Sequence, residues 1–284
     1  MKKDNGSILI FVFWALIILS LLSIAVSYKY SGDIKLAKYE SENIRALYLA
    51  KAGVAKEIAE LNKDRNNYDS LNEDWGKEKE FKFGDGEAVY RAFDEEARLN
   101  LNNPSLEKGH LIMLGLDDAL SQAALDYKTE KGEKGFEFIE ELFLVNGMTR
   151  DIFLKIKDYV TIYRGNDPKV NINTADENIL NIVLNGDSLL VNKIIAYREG
   201  GDGKVGTEDD GIFREDNFAG VFENFGITPQ DITNYQALFS VRSDFFRIKA
   251  SAHFSDNKNI VRDIEAVIDR NGKVFSWKEE LSKE

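Results

Sequence analysis

The first feature of the chain is an uninterrupted run of apolar residues close to its start. Ser7 to Tyr28 contains no charged residue, and fourteen of the nineteen positions from Ile8 to Val26 are Leu, Ile, Val or Phe. As a helix, those nineteen residues measure roughly 28 Å, which approaches the ~30 Å hydrocarbon core of a bilayer. The pattern predicts a transmembrane helix at 8–26.

Two lysines, Lys2 and Lys3, precede the apolar run. By the positive-inside rule they keep the short leader in the cytoplasm and send the rest of the chain across the membrane. A cleaved secretory signal peptide is the alternative, but its apolar region runs about 7 to 15 residues and ends at small residues. Here the run is longer and is followed by Ser27-Tyr28-Lys29-Tyr30. We therefore expect the apolar helix to stay in the mature protein.

Apolar residues continue beyond the run at helical spacing, with Lys, Glu and Arg between them. They are Ile34, Ala37, Ile44, Leu47, Val54, Ile58 and Leu61. Steps of three, four and seven place these residues on one face of a helix. The sequence thus predicts one long helix over 7–62, apolar all round at its start and packed along one face further on.

Alternating apolar and polar residues predict strands in two distant parts of the chain. Segments 80–83 and 87–93 flank a glycine-rich turn, which is typical of a β-hairpin. Segments 246–254 and 260–269 show the same period of two near the C-terminus. The simplest arrangement pairs both groups in one antiparallel sheet packed on the long helix.

This arrangement predicts an α+β protein with a large insertion. The scaffold consists of the helix together with residues 63–98 and 243–284. Residues 99–242, which separate the two groups of strands, are expected to form an all-α inserted domain. A chain of 284 residues is long enough for about two folded units.

The inserted domain contains an approximate internal duplication. Segment 98–102 parallels 169–173, 71 positions later, and segment 146–149 parallels 225–228, 79 positions later. Each unit has the order Asn-x-Asn, helix, glycine hairpin, helix. The sequence therefore predicts two helix-hairpin-helix-like (SAM-like) repeats.

Helix starts in the second unit carry capping signals. Thr174 with Glu177 has the form of a capping box, in which two side chains satisfy free backbone N–H groups. Thr228 precedes Pro229, a residue favoured at the first helical position. Both sites predict the first turn of a helix.

Composition excludes several classes of protein. Lys and Arg number 37 against 49 Asp and Glu, so the formal charge is −12, and there is no Cys. A disulfide-stapled module and a Cys-ligated metal site are therefore excluded. The acidic balance argues against nucleic acid as a partner, because that affinity depends on Lys and Arg. His110 and His253 have no recognisable nucleophile or metal partner nearby in sequence, so the chain is not expected to be an enzyme.

The densest group of candidate ligands is the loop 199–211, which we call the acidic loop. Five of the twelve residues from 200 to 211 are glycine and four are acidic. Carboxylates this close repel one another unless a cation lies among them, and Ca²⁺ takes six to eight hard oxygens, backbone carbonyls included. The spacing differs from that of an EF-hand, and a solvated acidic loop is the alternative.

The start of the chain resembles the class III leader of type IV pilins and type II secretion pseudopilins. In that family prepilin peptidase cuts after the leader glycine, and the apolar helix stays in the mature protein. The resemblance implies a leader of residues 1–6, with processing between Gly6 and Ser7. The fifth mature residue is then Phe11, where most members carry a Glu that neutralises the terminal amine of a neighbouring subunit.

Lack of that Glu is the mark of the minor pseudopilin K (general secretion pathway protein K) family, which the chain also resembles in size and in segments 170–175 and 246–252. The resemblance implies a pilin-like scaffold and a structural role at the tip of the type II secretion pseudopilus, in assembly initiation and protein export across the outer membrane. The implied partners are the minor pseudopilins I and J, other pseudopilus subunits, the inner-membrane assembly platform and prepilin peptidase. The implied location is the bacterial inner membrane, crossed once, with the C-terminal part in the periplasm.

Segment 202–210 is similar to the calcium loop of the major pseudopilin, which has the form D-G-x-x-G-T-x-D-D. The resemblance implies calcium as a cofactor. Its ligands would be the side chains of Asp202, Asp209 and Asp210 and the backbone carbonyl oxygens of Glu199 and Val205.

The glycine hairpins suggest a second function. Residues 222–227 have the h-x-x-h-G-h form of a helix-hairpin-helix, a module that often offers backbone N–H groups to DNA phosphate. A membrane-anchored DNA receptor of a competence system would combine this motif with a single span. Acidic residues surround both hairpins and oppose DNA binding; they are Glu137, Glu140, Glu141, Asp151, Glu223 and Asp231. The pseudopilin is therefore the predicted function, and the DNA receptor is the alternative.

Overall fold

The computed structural model describes residues 5–163, 169–254 and 257–282. The α-helices are α1 (Asn5–Leu61), α2 (Lys108–Met113), α3 (Asp118–Lys131), α4 (Arg150–Ile156), α5 (Glu177–Val183), α6 (Ser188–Arg198), α7 (Phe218–Asn224) and α8 (Pro229–Leu238). The β-strands are β1 (Lys79–Phe83), β2 (Gly86–Asp94), β3 (Leu99–Asn100), β4 (Val160–Thr161), β5 (Val170–Asn171), β6 (Phe239–Ser240), β7 (Phe245–Phe254), β8 (Asn257–Asp269) and β9 (Val274–Ser282). Short 3₁₀ helices lie at Asp74–Gly76, Gly132–Lys134 and Ile139–Leu144. The predicted α+β class is confirmed.

Helix α1 is continuous over 57 residues. Its first part is long and apolar enough to cross a membrane, and most of the large apolar side chains from Ile8 to Val26 are 45–75% exposed. Its second part packs on the large sheet through apolar side chains of small and medium size. The fully buried ones are Ala46, Leu49, Ala50, Val54 and Leu61.

The packed face of α1 begins later than the sequence predicts. Val54 and Leu61 are buried as expected, whereas Ile34 and Ile44 are mostly exposed. The sheet covers α1 only from about Glu42 onward, since this is the first buried side chain along the helix. The predicted apolar face is therefore wrong at its start.

The large sheet has the strand order β1-β2-β7-β8-β9, and all its neighbours are antiparallel. Strand β2 pairs with β7 from Gly86 opposite Phe254 to Asp94 opposite Phe246. The predicted pairing of the two separated groups of strands is thus confirmed. The sequence does not indicate β9, because this edge strand is mostly exposed and its apolar residues do not alternate regularly.

The inserted domain has a core of its own. Buried apolar residues from Leu99 to Val241 form one cluster, and those of α1 and the large sheet form another. Two short parallel ladders interrupt its helices, β3 with β4 and β5 with β6. The expectation of an all-α insert is corrected at these four strands, which join the start of each sequence unit to its end.

The two sequence units adopt equivalent conformations. In each unit the second asparagine of Asn-x-Asn bonds both backbone groups of a phenylalanine, Asn102 with Phe136 and Asn173 with Phe213. Each unit also has two helices between its Asn-x-Asn segment and this phenylalanine, one more than the sequence predicts. The duplication seen in the sequence is therefore a duplication of structure.

One of the two predicted helix starts is confirmed and the other is wrong. Thr228 caps α8 by accepting from the N–H of Asp231, with Pro229 at the first position. Helix α5 is capped instead by Asp176, while the hydroxyl of Thr174 donates to Asp94 at 2.5 Å. The hydroxyl of Thr174 thus bonds a carboxylate that is distant in sequence, instead of capping the helix as the local spacing predicts.

Candidate functional sites

The apolar part of α1 is the first candidate site. Phe11 is 75% exposed, and the helix is apolar all round from Ile8 to Leu19. Such a surface is unfavourable in water and requires lipid or other apolar helices around it. Gly6 and Ser7 lie in the first turns of α1, whereas Lys2 and Lys3 lie outside the described residues. Processing between Gly6 and Ser7 stays a prediction.

The acidic loop is the main difference in length between the two units of the insert. Four residues separate Lys131, at the end of α3, from Phe136. Fourteen residues separate Arg198, at the end of α6, from Phe213. The second unit therefore has the same order of helices as the first, with the acidic loop inserted between α6 and Phe213.

Two glycines hold the ends of the acidic loop together. Gly200 has φ +60°, and a Cβ there would lie 2.4 Å from the carbonyl oxygen of Asp209. The N–H of Gly211 donates to the carbonyl oxygen of Tyr197 at 2.9 Å, and a Cβ on Gly211 would lie 2.3 Å from the same oxygen. Side chains at either position would force the loop open.

The three predicted side-chain ligands bind backbone N–H groups of the loop. The pairs are Asp202 with Lys204 at 2.8 Å, Asp209 with Gly201 at 2.7 Å and Asp210 with Gly206 at 2.7 Å. The hydroxyl of Thr207 donates to Asp209 at 2.8 Å. This bond and the backbone amides hold the pKa of the Asp209 carboxyl below its usual value. Asp209 is therefore an anion at neutral pH.

The acidic loop contains the ligand types of a calcium site, but they do not converge on one point. Carboxylate and carbonyl oxygens are the ligands that calcium takes, and Glu199 and Val205 place their carbonyl groups in the same loop. Among the described residues, no three His, Cys, Asp or Glu side chains gather closely enough to hold a metal ion. Calcium binding thus stays a prediction, and it requires the carboxylates to exchange amide hydrogen bonds for the ion.

The backbone amides of the second glycine hairpin are used within the hairpin. The N–H of Gly226 donates to the carbonyl of Glu223 at 2.9 Å, and that of Ile227 donates to the carbonyl of Phe222 at 3.1 Å. Exposed carboxylates of Glu223 and Asp231 lie on either side. A phosphate would meet occupied donors and negative charge, so this geometry does not favour the DNA-receptor alternative.

A buried ion pair lies within the scaffold where the insert meets it, and sequence reasoning missed it. Arg247 on β7 forms a two-point pair with Glu95, from Nε at 2.9 Å and from the terminal nitrogen at 2.6 Å. The hydroxyl of Thr161 in the insert donates to the same carboxylate at 2.8 Å. Burial acts to raise the pKa of Glu95, but the Arg98 and Arg247 guanidinium groups outweigh it and lower the pKa.

A second cluster of buried polar side chains lies at the same junction between scaffold and insert. Asp94, at the end of β2, accepts hydrogen bonds from Thr174, Ser243 and Asn171 at 2.5, 2.7 and 2.8 Å. These partners lie where the second unit begins and where the chain returns to the scaffold. The acidic run at 94–96 was the one available sequence signal, since three acids seldom follow a buried strand without partners.

Comparisons with known proteins agree with this architecture. No protein-family model matches the chain. No curated protein matches it either. Among solved structures, the chain is similar to one in the crystal structure of the GspK-GspI-GspJ complex from the enterotoxigenic Escherichia coli type 2 secretion system, with a TM-score of 0.64 at 16% identity. The match covers 87% of this chain and 99% of that chain, so this protein has a type II secretion pseudopilin-like fold.

Proposed function

We propose that the protein is a minor pseudopilin, the K subunit, at the tip of the pseudopilus of a type II secretion system. The observation that carries the proposal is the combination of α1, which is exposed and apolar at its start, with an insert-bearing scaffold similar to a chain of the GspK-GspI-GspJ complex. In this role the protein assists assembly initiation and export across the outer membrane. Its function is structural rather than enzymatic.

The size of the insert supports the tip position. A domain of about 144 residues has a radius of gyration of roughly 15 Å, which is awkward to accommodate at each step of a tightly packed helical fibre. At the tip no subunit has to stack above it. Hydrogen bonds from Thr161 to Glu95 and from Thr174 to Asp94 tie the domain to the scaffold.

Phe11 supports the same position. Its exposed ring lies on the apolar surface of α1, where a carboxylate would otherwise meet the terminal amine of a neighbouring subunit. A subunit with no neighbour above it has no such amine to neutralise. A phenyl ring also avoids the free-energy cost of a carboxyl group in the bilayer.

The proposed location and partners follow from the same surface. Helix α1 anchors the protein in the inner membrane, and the scaffold and insert lie in the periplasm. Before assembly the protein is a substrate of prepilin peptidase, which removes residues 1–6, and it then meets the inner-membrane assembly platform. The minor pseudopilins I and J dock beside it, and other pseudopilus subunits follow below.

We also propose that calcium binds the acidic loop through Asp202, Asp209 and Asp210, with carbonyl oxygens of Glu199 and Val205. The ligand types and the tight glycine turns support this assignment. When bound, the ion supplies positive charge that relieves the repulsion among the carboxylates. Its role is structural, because it orders a loop that the first unit lacks.

The test is copurification of the full-length protein with its host's other pseudopilins in detergent. The expected result is a complex with the I and J subunits and little major pseudopilin. A gel-shift assay at low salt tests the alternative on the same sample. Submicromolar DNA binding together with no retained pseudopilin would overturn the proposal in favour of the DNA receptor.

A further inference from the structure

A cavity of about 340 Å³ lies where the insert meets the scaffold, apart from the acidic loop and the apolar helix. Its apolar wall is formed by the buried side chains of Phe218, Phe239 and Val241. The polar side chains of Glu96 and Ser240 line it as well. The volume is suited to one small molecule or to one long side chain.

Both polar side chains carry a buried atom without a partner. Glu96 is only 8% exposed, and its Oε1 forms no hydrogen bond within the described chain. The same holds for Oγ of Ser240. Buried polar atoms in native proteins are nearly always hydrogen-bonded, and leaving one unpaired is costly. Both atoms belong to residues that line one cavity, which indicates a site that a polar ligand completes.

The electrostatic surroundings specify the charge of the ligand. Burial raises the pKa of Glu96, and the nearby carboxylates of Asp94, Asp244 and Asp69 raise it further, to about 9. The carboxyl group accepts one hydrogen bond, from the N–H of Asp244. None of the ion pairs between described residues includes Glu96. Glu96 is therefore neutral in the empty cavity, and a cation beside it would favour the carboxylate form.

The rim of the cavity carries charges of both signs. They belong to Lys169, Glu215, Arg242 and Asp244. Apart from the half-buried Lys169, these side chains are exposed and therefore screened by water. The buried floor is acidic and the wall apolar, which selects a ligand with a charged end and an apolar stem.

We propose that this cavity binds a primary ammonium group carried on an apolar stem. The stem lies along Phe218 and Phe239, and the ammonium group donates to Oε1 of Glu96 and to Oγ of Ser240. Glu96 releases its proton to solvent as the cation enters. The group belongs either to a lysine side chain of a partner protein or to a free aliphatic amine. This inference is independent of the pseudopilin role.

The test uses the full-length protein in a nonionic detergent and n-butylammonium as the probe, measured by isothermal titration at pH 7.5. Titrations in two buffers with different ionisation enthalpies count the protons released. We expect binding with release of close to one proton, and at least tenfold weaker binding of n-butanol. The Glu96→Gln variant should also bind n-butylammonium at least tenfold more weakly. Glu223→Gln, which removes an exposed carboxylate outside the cavity, should bind like the wild type.

Equal binding by wild type and Glu96→Gln would overturn the proposal, and so would equal affinity for n-butanol. Absence of proton release in the wild type overturns it even if the variant fails to fold. The tripeptide Gly-Lys-Gly distinguishes the two sources of the amine. Tighter binding than n-butylammonium supports a lysine of a partner chain, and equal or weaker binding supports a free amine.

Discussion

The side-chain amide of Asn173 forms two hydrogen bonds with the backbone of Phe213, accepting from its N–H and donating to its carbonyl, both at 2.9 Å. Asn102 forms the same pair of bonds with Phe136, at 2.8 and 2.9 Å. Each amide thus ties the phenylalanine, which follows two helices, to the start of its unit. In the second unit the acidic loop lies between the tied residues.

Asn173→Ala should destabilise the insert strongly. The substitution leaves a buried N–H and a buried carbonyl of Phe213 unpaired, which costs about 2 to 4 kcal/mol. In a chain of this size that corresponds to a fall of roughly 10 °C in melting temperature. Thermal unfolding in detergent measures it, with Asn234→Ala, an exposed position on α8, as the control. Equal melting temperatures of the two variants would contradict the role of this bond pair.

Arg247→Met should destabilise more than the double variant Glu95→Gln with Arg247→Met. The single change leaves the buried Glu95 carboxylate without its two-point partner, a loss of about 3 to 5 kcal/mol. The double change removes the uncompensated charge. A double-mutant cycle on melting temperature measures the coupling, and the exposed Lys278–Glu140 pair serves as the reference cycle. Additive effects at Glu95 and Arg247 would show that the two buried side chains are not coupled.

Glu96→Gln should stabilise the protein at alkaline pH relative to the wild type. The pKa of Glu96 is raised to about 9, so the unfolded chain loses this proton near pH 4.5 while the folded chain keeps it. Stability from Glu96 is therefore lost as the pH rises between those values, by up to about 4 kcal/mol from pH 5 to pH 8. Melting curves across this range should converge at pH 5 and separate at pH 8. Parallel curves would show that Glu96 is not a buried neutral acid.

Calcium should raise the melting temperature of the wild type, since an ion that binds only the folded state stabilises it by mass action. Asp209→Ala with Asp210→Ala should abolish the increase. Glu215→Ala with Asp216→Ala removes two exposed acids outside the acidic loop and should preserve it. Identical wild-type melting curves in millimolar calcium and in chelator would exclude the site.

Periodic patterns in the sequence predict the scaffold well. The apolar run predicts α1, and the period of two predicts β2, β7 and β8, because most side chains on each face of these elements share one environment. The duplication is also visible, since Asn102 and Asn173 recur with similar neighbours. Within the scaffold β9 is missed, and the start of the packed face on α1 is misplaced, because where the sheet begins to cover the helix depends on tertiary structure.

The buried polar junction could not be predicted from local patterns. Arg247 alternates with apolar residues and so indicates an exposed face of β7, yet the insert covers it and supplies Thr161 as a further partner of Glu95. Thr174 has the sequence spacing of a helix cap, but its hydroxyl donates to Asp94, 80 positions earlier. In both cases a residue distant along the chain decides the outcome.

The position of the protein in the assembled fibre tests the central claim most directly. Pseudopili isolated from the native host can be labelled with gold-conjugated antibody against the insert, and the subunit ratio to the major pseudopilin determined by quantitative mass spectrometry. The account predicts label at one end of each fibre and a ratio that falls as fibres lengthen. Label along the shaft, at a constant ratio to the major subunit, would contradict it.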